Sequence, residues 1–300
     1  NSGIAIGGYL EGNTNYFSED GISEGLSMEM RRFNIFISSK IGERFSFISE
    51  LEFEHGTEEI ALETALVDLE IAEYLNIRMG VLLPELGCVN ANHDSPVWDF
   101  IERPLSSVSL IPSTLSEIGF GIHGKFPLKK SLVSYNLYLV NGLQDGVILN
   151  SEGKTHLMSG KTSEMFEEDN NGIPMFNSRI AISNFKFGEF GIAYYGGYYN
   201  TFMLEGEMVA PKRALNVYSI DFDTDIGKLN IKGELVQIGL DVPEDIEEIY
   251  GEAQFGGFLD LVYPVYNDKL FTYESSVLNI LFRVEFADYN QGNFKTNIYT

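Results

Sequence analysis

Apolar and polar residues alternate along nearly the whole chain, which is the period of a strand whose two faces meet different surroundings. Between Arg32 and Lys40, Phe33, Ile35, Ile37 and Ser39 share one face, and Arg32, Asn34, Phe36, Ser38 and Lys40 share the other. Between Arg44 and Glu54, Phe45, Phe47, Leu51 and Phe53 oppose Ser46, Glu50, Glu52 and Glu54, so three carboxylates lie together. Leu278, Ile280, Phe282, Val284 and Phe286 form an uninterrupted apolar row opposite Asn279, Leu281, Arg283 and Glu285. The pattern recurs at 62–71, 75–83, 117–126, 132–141, 176–184, 190–199, 214–224, 229–237 and 255–263. With 4–16 and a last segment starting at Lys295, about fourteen strands are predicted.

Tight turns such as Ile41-Gly42-Glu43 and Asp225-Ile226-Gly227 alternate with longer connections, the mark of an up-and-down meander. The polar stretch 143–174 and the acidic stretch 241–252 read as exposed loops. Segment 84–115 differs, because it carries the only tryptophan (Trp98), the only cysteine (Cys88), a cluster of prolines and a run of apolar residues, and so it reads as packed. No linker or repeat divides the chain, which predicts a single domain over 1–300.

Alternation alone also fits a soluble two-sheet sandwich, such as a secreted binding protein. Size argues for a barrel, since so many strands in one meander make an unusually large open sheet and closing it removes the edges. A barrel that wide has a lumen that side chains cannot fill, so its polar face lines water and its apolar face meets lipid. Tyrosines at Tyr194-Tyr195, Tyr198-Tyr199 and between Tyr263 and Tyr266 are expected in the interfacial girdles. No apolar run approaches the roughly 20 residues of a spanning helix.

Composition agrees with strands: 22 Phe, 16 Tyr and 30 Gly among 300 residues. The 20 Lys and Arg stand against 44 Asp and Glu, a net charge of −24, which argues against nucleic acid as a partner. One cysteine excludes an intrachain disulfide and a multi-cysteine zinc site. The chain opens on Asn1-Ser2-Gly3 without a basic, then apolar, leader; removal of a signal peptide fits the barrel better than retention in the cell. No nucleophile elbow, phosphate loop or dinucleotide-binding pattern occurs, so neither enzyme activity nor a cofactor is expected. His93-Asp94 with Glu102 and Arg103 lacks ligand spacing of the HExxH kind, so no metal is expected there and the group reads as a loop cluster.

Asn92, His93, Asp94, Ser95 and Pro96, then Glu102, Arg103 and Pro104, then Ile111, Pro112, Ser113 and Thr114 precede a glycine-rich strand. This ordered set resembles the phosphate-selective porin (O/P-type) family of outer-membrane β-barrels, strongly over about sixty residues. The resemblance implies a transmembrane antiparallel up-and-down barrel of about sixteen strands, a trimer, and a segment (84–115) folded inward as a constriction. Two departures stand out. Candidate inward bases Arg32, Arg78, Lys125, Arg179, Lys232 and Arg283 are outnumbered by inward acids, which argues against anion selectivity. The chain ends at Ile298-Tyr299-Thr300 without a terminal aromatic, and two further strands are expected.

The expected function is passive diffusion of small polar or charged solutes through a lumen narrowed by the 84–115 loop, in the outer membrane and in contact with its lipid. The pore-lining residues would be Arg32, Glu50, Glu52, Asp68, Arg78, His93, Asp94, Trp98, Glu102, Arg103, Glu117, His123 and Lys125, with Arg103 anchoring the loop to Glu50 or Glu52. The competing expectation is an accessory barrel with a plugged lumen in a multiprotein outer-membrane assembly.

Overall fold

A computed structural model describes residues 3–112, 114–247, 249–291 and 297–299. The strands are β1 (Ile4–Glu19), β2 (Ile22–Ile41), β3 (Phe45–Glu54), β4 (Glu59–Ala72), β5 (Leu75–Leu82), β6 (Glu117–Leu128), β7 (Ser131–Val140), β8 (Met175–Asn184) and β9 (Gly188–Tyr198). There follow β10 (Met203–Leu204), β11 (Glu207–Met208), β12 (Ala214–Ile226), β13 (Leu229–Leu240), β14 (Ala253–Leu270), β15 (Tyr273–Asp288) and β16 (Asn297–Tyr299). Fourteen of them form one antiparallel sheet in chain order, and β10 and β11 make a separate small hairpin. The expected strand start at Lys295 and the motif residue Ser113 lie outside the described residues.

One continuous sheet excludes the sandwich. The sheet is curled into a barrel, as two bridges across it show. Cys88 N–H donates to Glu234 of β13 and His93 meets Glu50 of β3. In a flat sheet those strands would stand roughly 38 Å apart at about 4.8 Å per strand, yet five residues reach at most about 17 Å. Glu102 alone touches β2 and β15, its carboxylate through Arg31 and its carbonyl through Arg283.

The outer face is apolar and uncovered. Ile180, Ile192, Ile220 and Leu235 pair in one row across β8, β9, β12 and β13, and each is 45–52% exposed. A row of this kind around a barrel faces hydrocarbon, because water would leave it as a large unsolvated patch. Phe176, Tyr194 and Tyr218 cluster outside toward the long-loop end, and Tyr74, Phe126 and Tyr135 stack at the short-turn end. Tyr195 and Tyr199 are a correction to the girdle expectation: strand alternation turns them inward, where they are fully buried and hydrogen-bonded to Glu117 and to the Asp241 carbonyl. No helix among the described residues is long and apolar enough to cross a membrane.

Segment 143–174 also departs from its expected exposure. Its Leu143, Val147, Leu157 and Met165 are buried, and the first three join Leu82, Leu86, Leu110, Leu115, Tyr138, Val217 and Val236 in an apolar core inside the long-loop end of the barrel. Its apolar residues are spaced too irregularly to show a period, because it is built from short 3-10 turns rather than a strand or helix. In the acidic 241–252 stretch the Tyr250 N–H donates to the Ile246 carbonyl, and Val242, Ile246 and Tyr250 pack on the same core.

Replacing outward Ile220 with Arg is expected to cost about 2–4 kcal/mol of folding free energy in lipid vesicles if the residue lies near the bilayer midplane. Urea titration in vesicles checks this, and an unchanged stability would contradict the lipid-facing assignment.

Candidate functional site in the barrel lumen

The inward wall is built from arginines held between carboxylates of neighbouring strands. On β2, Arg32 lies 2.7 Å from Glu54 and 3.2 Å from Glu11, with Glu52 at 3.8 Å. Arg78 of β5 pairs with Asp68 of β4 at 2.6 Å, and Asp68 also meets His123 at 2.7 Å. Arg179 of β8 pairs with Asp221 at 2.6 Å and Glu189 at 3.0 Å, and Arg283 of β15 with Asp260 at 2.6 Å. The side-by-side register of antiparallel strands places such pairs directly across from each other, as for Asp68 and Arg78 or Asp260 and Arg283. Buried charges persist only when paired in this way.

The connection 83–116 between β5 and β6 crosses this lumen. It starts at the far wall, where Glu85 meets Arg179 at 3.6 Å, Gly87 N–H donates to Ser219 and Cys88 N–H donates to Glu234. Gly87 is required there, since its φ is +70° and a Cβ would stand 2.0 Å from the Glu234 carboxylate. The chain then returns to β2 and β3, where His93 Nε2 lies 3.4 Å from Glu50 Oε2. Trp98 lies between the guanidinium groups of Arg32 and Arg103, 5.4 and 5.0 Å from its ring centroid, and its N–H donates to the Asn92 carbonyl.

Glu102 is gripped by Arg31 in a two-pronged contact of 2.8 and 2.5 Å, and its carbonyl accepts from Arg283, which lies 4.1 Å over the Phe100 ring. A short helix, α1 (Leu105–Ser109), follows, and the Leu105 N–H donates to Glu285 of β15. Asn90 ties the loop's two ends together through the Pro84 and Leu115 carbonyls and the Leu115 N–H. Room for the loop comes from Gly256 on β14, where a Cβ would stand 2.5 Å from Leu110.

The predicted residues therefore fall into separate groups. Arg32, Glu50, Glu52, His93, Asp94, Trp98, Glu102 and Arg103 gather where the loop meets β2 and β3. Arg103 donates to the His93 carbonyl and to Thr114, and it is His93 that meets Glu50. Asp68, His123 and Lys125 border a cavity of 480 Å³ toward the short-turn end, and Arg78 pairs with Asp68 beside it. Glu117 is fully buried at the start of β6, accepting from the Tyr195 hydroxyl and the Gly142 N–H beneath the 141–174 connection.

Three loop groups have shifted proton affinities. Burial works against a charged His93, but the hydrogen bond and charge of Glu50 outweigh it and hold the imidazole above its ordinary range. Burial, then the charge of Glu50, pushes the Asp94 carboxyl up. Burial, then Glu234, raises the Cys88 thiol well above its usual value.

Sequence reasoning missed Arg31 and Glu234. Strict alternation puts Arg31 and Arg32 on opposite faces, but a bulge opposite Glu11 and Gly12 turns both inward, and the break at Met30-Arg31-Arg32 was its only trace. Glu234 reads as one more wall carboxylate until the loop covers it.

Open space remains beside the loop. A cavity of 840 Å³ on the short-turn side is lined by Arg179, Glu189, Asp221, Asp223 and Lys232 of the wall and by Cys88 and Asn92 of the loop. It adjoins a cleft of 40 Å³ between the loop and β13–β15, bordered by Glu102, Arg103, Lys232, Asp260 and Arg283, and the two share Cys88, Asn92, Val97 and Lys232.

No protein-family model matches the chain. An uncharacterised protein of Aquifex aeolicus (strain VF5) is 33% identical over 149 residues, which is 47% of this chain and 33% of that protein. The match thus spans about a third of that relative's length. Among solved structures, the anion-selective porin from Comamonas acidovorans is similar with a TM-score of 0.58 at 10% identity, over 96% of this chain and 79% of that one. Salmonella typhi OmpF in complex with daunomycin is similar with a TM-score of 0.50 at 9% identity, over 99% and 88%. At these identities the likeness is one of fold. The chain has the porin fold of outer-membrane β-barrels, and its exposed apolar belt is the surface that such a membrane covers.

Trp98→Ala removes both guanidinium contacts, each worth about 0.5–2 kcal/mol. Amide exchange over 92–104 is expected to speed up while β12 and β13 keep their protection. Unchanged exchange in the loop would show that the tryptophan does not hold it.

Proposed function

We propose that the protein is an outer-membrane porin that passes small polar or charged solutes through a narrow route beside the infolded loop. The observation that carries this reading is a pair of neighbouring spaces: the 840 Å³ cavity and the 40 Å³ cleft share Cys88, Asn92, Val97 and Lys232, and charges of both signs line both. The loop, anchored on opposite walls, is then the constriction, and the cleft between Glu102, Arg103, Asp260 and Arg283 is its narrowest part. Membership of the phosphate-selective branch rests on the motif residues within 92–114, and a homotrimer goes with it.

The 840 Å³ cavity is lined by Lys129, Lys130, Arg179 and Lys232 against Glu189, Asp221, Asp223 and Asp225, an even balance that supports little ion preference. The cleft is small, so conductance is expected to be low.

A second reading is favoured by one observation. The loops 84–115 and 141–174 share a dry apolar core at the long-loop end, with Leu82, Leu110, Leu115 and Val147 completely buried. A lumen closed there would belong to an accessory barrel that binds protein partners. Planar-bilayer recording separates the two: small stepwise openings with a reversal potential near zero in a salt gradient support the porin. Silence from folded, inserted protein supports the plugged barrel, and a strong anion preference contradicts the charge argument.

A further inference from the structure

Where the loop meets the wall, three side chains of mixed chemistry converge. One donor atom each from Glu50, His93 and Asp94 lies within 4.8 Å of the others, the one such group among the described residues. Glu50 is 4% exposed and His93 is 3% exposed, so neither is a solvated surface group. His93 Nδ1 and Asp94 Oδ1 are buried without a hydrogen-bond partner, and His93 Nε2 has only its 3.4 Å contact with Glu50. The Tyr9 hydroxyl lies beside Asp94. Unsatisfied buried atoms of this kind are costly and mark a missing partner.

The partner they fit is a cation. Two carboxylates, Glu50 and Asp94, meet a single imidazole, and Arg32 nearby is already engaged by Glu11, Glu52 and Glu54. The 3.4 Å between His93 Nε2 and Glu50 Oε2 is the spacing of two donors that share one ion at about 2.1 Å in tetrahedral geometry, roughly 3.4 Å. Asn34 donates to Glu50 Oε1 at 2.7 Å, which orients the carboxylate and leaves Oε2 turned to His93. One imidazole and two carboxylates suit a divalent first-row metal and not a soft one.

We propose that Glu50, His93 and Asp94 bind a divalent cation of the zinc or manganese class, clamping the infolded loop to β3. The site joins residues 93–94 of the loop to the wall at residue 50. Binding there stiffens the loop whether or not the lumen conducts, so the inference does not depend on the porin reading.

The test uses untagged protein refolded in detergent and titrated with Co2+, with Zn2+ as competitor. One Co2+ per chain, giving a visible ligand-field spectrum that Zn2+ abolishes, is expected. His93→Gln is expected to remove the spectrum, Asn34→Ala to weaken binding by about tenfold, and His55→Gln, at a separate exposed histidine, to leave it unchanged. Slower amide exchange across 90–98 on adding Zn2+ is the structural readout. Absence of a saturable spectrum in the wild-type protein overturns the proposal, as does a spectrum that persists in folded His93→Gln.

Discussion

Everything in this lumen depends on one constraint: a charged group turned away from lipid must find an opposite charge inside. The sheet sends apolar side chains outward, so the acids and bases of fourteen strands share one interior. Each inward arginine of β2, β5, β8 and β15 is met by at least one carboxylate, from Arg32 with Glu11 and Glu54 to Arg283 with Asp260. Because acids outnumber bases, carboxylates remain over at the wall, and the loop supplies partners for several of them. Glu234 accepts the Cys88 N–H, Glu285 accepts the Leu105 N–H, and Glu50 meets His93. The loop is therefore held by the same acid excess that gives the chain its net charge of −24.

The two ends of the barrel solve the space problem differently. Toward the short turns the wall stays polar and the interior stays open, with the 840 Å³ cavity between loop and strands. Toward the long loops the inward residues become Tyr138, Val217, Val236 and Ile238, and two connections pack on them as a dry core. That core fixes the loop's position by burial, whereas the charged contacts fix its orientation. On the charged side of the loop, Glu102, Arg103, Asp260 and Arg283 border one cleft.

Much of the fold was legible in the alternation, because a two-residue period at so many segments has few architectures that can hide one face from water. The packed nature of 84–115 was legible from Trp98, Cys88 and its apolar run. What escaped reading had no periodic signal. A bulge turned Arg31 inward, the 3-10 turns of 143–174 hid a buried segment in a polar composition, and neighbouring tyrosines 194 and 195 divided between lipid and lumen. The meeting of Glu50 with His93 depends on the curl of the whole sheet, which no local pattern encodes.

The central claim is that a loop tethered across the lumen sets the passage, and the grip of Arg31 on Glu102 tests it most directly. Single-channel recordings would compare the native protein with Glu102→Arg, and with Glu102→Arg combined with Arg31→Glu. The account predicts larger, noisier openings for the single change and native-like openings when the pair is restored with its charges exchanged. Recordings of both variants indistinguishable from the native protein, with each one folded, would contradict it.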